Sequence, residues 1–261
     1  MIPTAVFIGI LFSAICSLAV PIGVWIYLIK KDKTKKINRY ILLGLFGFFA
    51  AEIIVREPIL MILGGEAWFA DFANSNGVLY NLFLSFTVAI AETAARFLIL
   101  KFAVKDEIGF TAGLGTGFGH GACETMAYTG IVSVVNLMVC IMIYTNSLGN
   151  TEAYADIKNT LTSQSPSVYF AAGAERVLAI IIHIGLSVIL AYFIKKGMAA
   201  AGFAVCMGAH CVYDFCVKLT AQSGASVWVT IAAMTVFAAA FAAAAVFIRK
   251  KGNAETPKIV K

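Results

Sequence analysis

A chain of 261 residues that is 61% hydrophobic, only 13% charged and has a mean hydropathy of +0.88 carries more apolar surface than one soluble core can absorb. Composition excludes an ordinary soluble domain and specifies an all-α, polytopic transmembrane helix bundle of about seven spans, in which 1–261 form one integral-membrane unit. The net charge of +6 comes mostly from lysines and arginines gathered in short connecting segments, which argues for membrane orientation and against nucleic acid as a partner.

In chain order, the run 4–29 reads as a first spanning helix, bent near Pro21. Basic residues follow it directly and none precedes it, the reverse of a signal peptide. The connector 30–39 carries Lys30, Lys31, Lys33, Lys35, Lys36 and Arg39, and the positive-inside rule places it in the cytoplasm. A second span, 40–64, is interrupted by Glu52, Arg56, Glu57 and Pro58, and leads to a loop, 65–76, without a basic residue. The third span, 77–102, contains Glu92 and Arg96 and ends at Lys101 and Lys105. The apolar run 108–144 exceeds the roughly 20 residues of a single span. It is expected to tilt, project outward or break near Gly130, and a break would make eight spans.

The segment 146–167 is polar and acidic. Spans five to seven follow at 168–194 (with Glu175, Arg176 and His183), 198–219 (with His210 and Asp214) and 225–248, which stops at Arg249, Lys250 and Lys251. Residues 252–261 read as a loose cytoplasmic tail. Seven spans with the N-terminus outside and the C-terminus cytoplasmic put all but five lysines and arginines in cytoplasmic segments. The exceptions are Lys158 and Lys218, together with the embedded Arg56, Arg96 and Arg176. Six cysteines lie in apolar segments without a Cys-x2-Cys pair, so neither a disulfide framework nor a thiolate zinc site is indicated.

The densest stretch is 113–124, Gly-Leu-Gly-Thr-Gly-Phe-Gly-His-Gly-Ala-Cys-Glu. His120 and Glu124, at i and i+4, share a helix face with Gly113, Gly117 and Gly121, small residues that let a neighbouring backbone come close. Counting about 1.5 Å per residue from the cytoplasmic ends places His120, His183 and His210 roughly 16 to 18 Å deep, near the bilayer centre. Glu92 falls slightly shallower and Glu124 slightly deeper. The chain's three histidines thus occupy one slab on three helices, with carboxylates beside them. His210 and Asp214 share a face, as do Arg176 and His183, whereas the adjacent Glu175 and Arg176 diverge. Ionisable groups at this depth are costly and point to a functional site.

Imidazoles and carboxylates together suit general acid–base activation of water, or a divalent metal such as zinc held by His120, His183 and His210. His-Glu-x2-His, Gly-x-Ser-x-Gly and Gly-x-Gly-Asp are absent, which argues against site-2-type, rhomboid-type and presenilin-type proteases. The ordered motifs Glu92-x3-Arg96, Gly-Phe-Gly-His-Gly-Ala-Cys-Glu124, Glu175-Arg176 with His183, and His210-x3-Asp214 resemble the YhfC family of membrane peptidases. That family is grouped with the CAAX-processing (CPBP) and PrsW proteases and with a γ-secretase scaffold subunit. The resemblance covers about 86–215, within a motif-bearing core at 77–218.

It implies an intramembrane endopeptidase, of glutamic or metallo type, acting on a membrane-embedded or membrane-associated protein or peptide. Site residues carried over by position are Glu124, Glu92, His183, His210, Arg96 and Asp214. Two departures stand out: Glu92 is followed by Thr93 rather than a second glutamate, and the last motif ends in Asp214 rather than asparagine. Glu124 is the favoured base, with Glu92 second, and Arg96 and Asp214 position the imidazoles. Two other classes compete: a proton-coupled transporter, which inverted repeats would favour, and a non-proteolytic scaffold or recognition subunit.

Overall fold

The computed structural model describes residues 2–145, 147 and 152–254, and among them there is no strand. The end of the expected tail, 255–261, lies outside the described residues, as do 146 and 148–151. Nine helices are described. Helix α1 is Thr4–Lys31. Helix α2 joins Ile37–Phe48, the π-turns Phe49–Arg56 and Glu57–Gly64; α3 is Ala67–Ser75. Helices α4 and α5 are Gly77–Val104 and Phe110–Tyr144. Helix α6 is Glu152–Ser163, α7 Pro166–Lys195, α8 Ala199–Gln222 and α9 Val227–Ala254. Six of them (α1, α4, α5, α7, α8 and α9) are long and apolar enough to cross a membrane. The charge-interrupted α2 is continuous over 37–64 and is long enough to make a seventh.

The expected break at Gly130 does not occur. The run stays helical from Phe110 to Tyr144 and passes through a π-helical stretch, Thr125–Gly130, directly after Glu124. Similar wide turns precede both intramembrane prolines, at Ile15–Ala19 before Pro21 and at Phe49–Arg56 before Pro58. Proline has no N–H for the preceding turn and its ring crowds the carbonyl there, and widening the turn relieves both. The segment 65–76, read from sequence as a loop, contains α3. Its Phe69 is buried against Phe72, Tyr80 and Phe83, an aromatic set that a period-based reading of a short polar stretch overlooks. The last helix also runs past the expected end at 248, to Ala254.

The first half of α5 is the centre of the bundle, pressed between α2 and α7, and α7 packs in turn on α9 and α1 while α8 lies along α4. Gly113, Gly117 and Gly121 meet the backbone of α7, as their spacing predicts, and Gly115 and Gly119 meet α2 on the opposite side. A methyl group on Gly117 would sit 2.5 Å from the carbonyl oxygen of His183, and one on Gly119 would collide with the carbonyl of Ile41. Neither neighbour is a side chain that can swing away. Gly119→Val is therefore expected to lower stability by about 3 kcal/mol through overpacking, read as an earlier melting transition of the detergent-solubilised protein.

At the end of the bundle that carries the basic connectors, Glu107 ties two of them together. Lys36 Nζ and the Tyr40 hydroxyl each donate to its carboxylate at 2.7 Å, and Arg39 lies 3.5 Å away. The hydrogen bonds from Lys36 and Tyr40 hold the Glu107 carboxyl below the usual carboxylate range.

Candidate active site

The three histidines that share a depth also meet in space. The ring centroids of His120 and His183 are 5.0 Å apart, and those of His183 and His210 5.7 Å. All three rings are buried, as are Glu92 and Arg96, so the cluster is built from α4, α5, α7 and α8 at the centre of the bundle. Phe48 closes it with an edge-on contact to His120, and Tyr213 stacks on His210 at 6.2 Å.

Glu92 is the hub. Its Oε2 lies 2.9 Å from His120 Nε2, 3.6 Å from the Arg96 guanidinium, 3.7 Å from His183 Nδ1 and 3.8 Å from His210 Nδ1. Arg96 then reaches past Glu92, with one terminal nitrogen 2.8 Å from His183 Nδ1 and the other 3.1 Å from His210 Nδ1. A guanidinium can only donate, so both Nδ1 atoms accept and both rings carry their proton on Nε2. Arg96 therefore sets two tautomers at once. A buried charge at membrane depth is tolerable only with partners of this kind.

His183 Nε2 points the other way, 2.6 Å from Glu124 Oε2, and Glu124 Oε1 accepts from Arg176 at 3.0 Å. Arg176 and His183, seven residues apart on one face of α7, thus bracket Glu124. Arg176 also bonds to its neighbour Glu175, a pairing that the adjacency of the two residues disfavours but long side chains permit. His210 Nε2 meets no other group among the described residues. Asp214 does not orient His210. It pairs with Lys218 on the opposite side, at 2.9 and 3.1 Å, so its place is in the wall of the site.

These groups open into a cavity of about 350 Å³, lined by Glu92, Glu124, His183 and His210 at depth. Glu52, Arg56 and Glu57, the charges that interrupt the second span, border the same cavity. Arg56 is fixed by Glu52 at 2.9 Å, Thr87 at 3.2 Å and the Leu84 carbonyl at 3.2 Å. Tyr128 donates to Glu57 at 3.3 Å. Nothing in the spacing announces Tyr128 or Tyr213, whereas Lys218 stands four residues after Asp214 and was legible as its partner.

A metal can be tested against this donor set. Glu92, His120 and His183 place one carboxylate oxygen and two imidazole nitrogens within 4.8 Å of one another, all buried. One oxygen and two nitrogens suit zinc. The Glu124 carboxylate on His183 Nε2 is the outer support that metal-ligating imidazoles have. His120 Nδ1 is buried without a hydrogen-bond partner, so this ring has a nitrogen in reserve. The set fits a divalent ion. It differs from the three-histidine set expected from sequence in that Glu92 takes the place of His210; Arg96 engages Nδ1 of both His183 and His210, so an ion on His183 Nδ1 would displace the guanidinium from it.

A family model described as YhfC intramembrane metalloprotease matches residues 16–237. Among curated proteins, the chain is similar to the membrane protein YhfC of Bacillus subtilis (strain 168), with 27% identity over 124 residues, 45% of this chain and 48% of that one. The match thus spans about half the length of that relative. No solved structure matches.

Proposed function

The chain belongs to the YhfC intramembrane metalloprotease family, and from that premise we propose that it hydrolyses a peptide bond of a membrane-embedded or membrane-associated polypeptide in the cavity beneath Glu57 and Glu175. One observation carries this reading: Glu92, His183 and Glu124, from three different helices, line a polar cavity in a multi-pass membrane bundle, with the buried His120 bonded to Glu92 behind them. The charge distribution of the connectors supports an N-terminus outside, a cytoplasmic C-terminus and a cavity in the outer half of the bilayer. The motif-bearing core 77–218 would supply the reacting groups, and α2 the wall that faces them.

Glu92, His120 and His183 would hold the ion. A bound zinc-like ion supplies Lewis acidity and lowers the pKa of water. Glu124 is the more accessible carboxylate, with 16% of its side chain exposed against 4% for Glu92, and it takes the proton from the attacking water. Arg176 fixes Oε1 of Glu124 and His183 lies against Oε2, whose remaining lone pair takes the proton and passes it to the departing amine. His210 presents Nε2–H to the cavity, where it donates to the oxygen on which negative charge develops. Arg96 acts through others: it keeps the His210 proton on Nε2, and until an ion takes its place on Nδ1 it keeps the His183 proton facing Glu124. Asp214, held by Lys218, shapes the wall beside His210.

Metal content of the purified protein tests the ligand assignment. Wild type is expected to retain about one zinc per chain, His120→Ala with His183→Ala to lose it, and His210→Ala to keep it. Retention in the double variant, or loss in His210→Ala alone, would overturn the Glu92–His120–His183 set.

A further inference from the structure

The outer part of the cavity has a chemistry of its own. Beyond Glu92 and Glu124, its carboxyl groups are Glu52, Glu57, Glu175 and Asp214, and its cations are Arg56, Arg176 and Lys218. Each cation is already engaged. Arg56 is held by Glu52, with Glu57 at 3.6 Å; Arg176 by Glu124 and Glu175; and Lys218 by Asp214. The carboxyls therefore outnumber the cations, and no positive group is left over to receive an acidic ligand.

A second observation is independent of that excess. Glu52 is 1% exposed and only its Oε2 is used, by Arg56; Oε1 is buried without a hydrogen-bond donor. A buried carboxyl oxygen with no hydrogen-bond partner is costly in any protein and more so at membrane depth. The side chain bearing it lines this cavity. At the outer rim, the Glu57 side chain is 42% exposed, one turn further along the same helix, so an entering cation meets Glu57 before Glu52.

Resting on the protease reading above, we infer that this part of the cavity is a subsite for a positively charged side chain, and that the substrate is a polypeptide with lysine or arginine beside the cleaved bond. Glu52 Oε1 accepts from the ammonium or guanidinium, and Glu57 draws it in. An apolar transmembrane segment is a poor occupant, because it would leave the carboxyl excess without counter-charge. A basic segment flanking such a helix satisfies it.

The test uses the full chain in detergent with a metal chelator, so that peptides bind without turnover. The probes are short fluorescein-labelled Ala/Ser/Gly peptides with a central Arg, Ala or Glu. The Arg peptide is expected to bind about tenfold more tightly than the Ala peptide, the scale of one charge-assisted hydrogen bond, and the Glu peptide more weakly than either. Glu52→Gln keeps the shape and the Arg56 contact, and should reduce the Arg preference to about threefold or less. Glu57→Gln, at the exposed rim where folding is not at stake, should weaken it in part. Equal affinities in wild type, or an undiminished preference in both variants, overturns the subsite. Cleavage by the metal-loaded protein is scored separately. Preference without cleavage leaves the subsite standing and removes the protease reading, and cleavage without preference does the reverse.

Discussion

Glu124→Gln yields a folded, membrane-inserted protein whose cleavage rate falls about 10³-fold, the scale on which a positioned general base contributes. The substitution changes almost no volume and leaves Glu92, His120 and Arg96 untouched. Its effect comes from hydrogen-bond direction. Arg176 donates to one oxygen of the carboxylate and His183 Nε2 lies 2.6 Å from the other, so a glutamine offers an oxygen to one of them while its amide nitrogen faces the other. The variant thus loses the base and one of the two contacts that aim it. His210→Ala should cost about 10² to 10³ by removing an oxyanion donor, with kcat falling more than KM, because the contact strengthens only as charge develops. Cleavage of a membrane-anchored reporter in liposomes separates these outcomes. Near-normal rates in both variants, with intact folding, would remove Glu124 and His210 from the chemistry.

The common depth of the histidines was legible because rise per residue is fixed and basic clusters mark where spans end. His120, His183 and His210 therefore had to lie in one slab, and a bundle this small had to bring them together. The bracket of Arg176 and His183 on Glu124 follows from the same periodicity, seven residues being close to two turns. Other features turn on choices that spacing leaves open. Asp214 has a histidine four residues before it and a lysine four residues after it. The ammonium wins because its full charge attracts the carboxylate more strongly than a neutral imidazole N–H does. Glycines every two residues in α5 announce close packing, but only the fold shows that alternate ones serve α7 and α2. The reach of Arg96 across two imidazoles depends on side-chain direction, which sequence does not carry.

Arg96→Met is expected to lower the stability of the detergent-solubilised protein by about 3 kcal/mol and to abolish cleavage. The guanidinium is 1% exposed and donates to two imidazoles 2.8 and 3.1 Å away, with Glu92 at 3.6 Å as its counter-charge. Methionine fills much of the same volume but leaves the Glu92 carboxylate without a cation and both Nδ1 atoms without a donor. Removing one partner of a buried charged network costs more than never having built it. Arg96→Lys divides the two roles. An ammonium restores the charge near Glu92, so most of the stability should return. It is a point donor on a flexible stem and lacks the planar fork that spans His183 and His210 together, so one tautomer is released and the cleavage rate should stay about 10²-fold down. Melting curves and kcat, measured on the same two variants, decide the matter. If Arg96→Lys recovers both stability and rate, charge alone is what Arg96 provides. If Arg96→Met melts at the wild-type temperature, the network holds no part of the fold, and Arg96 serves only to direct the protons of His183 and His210.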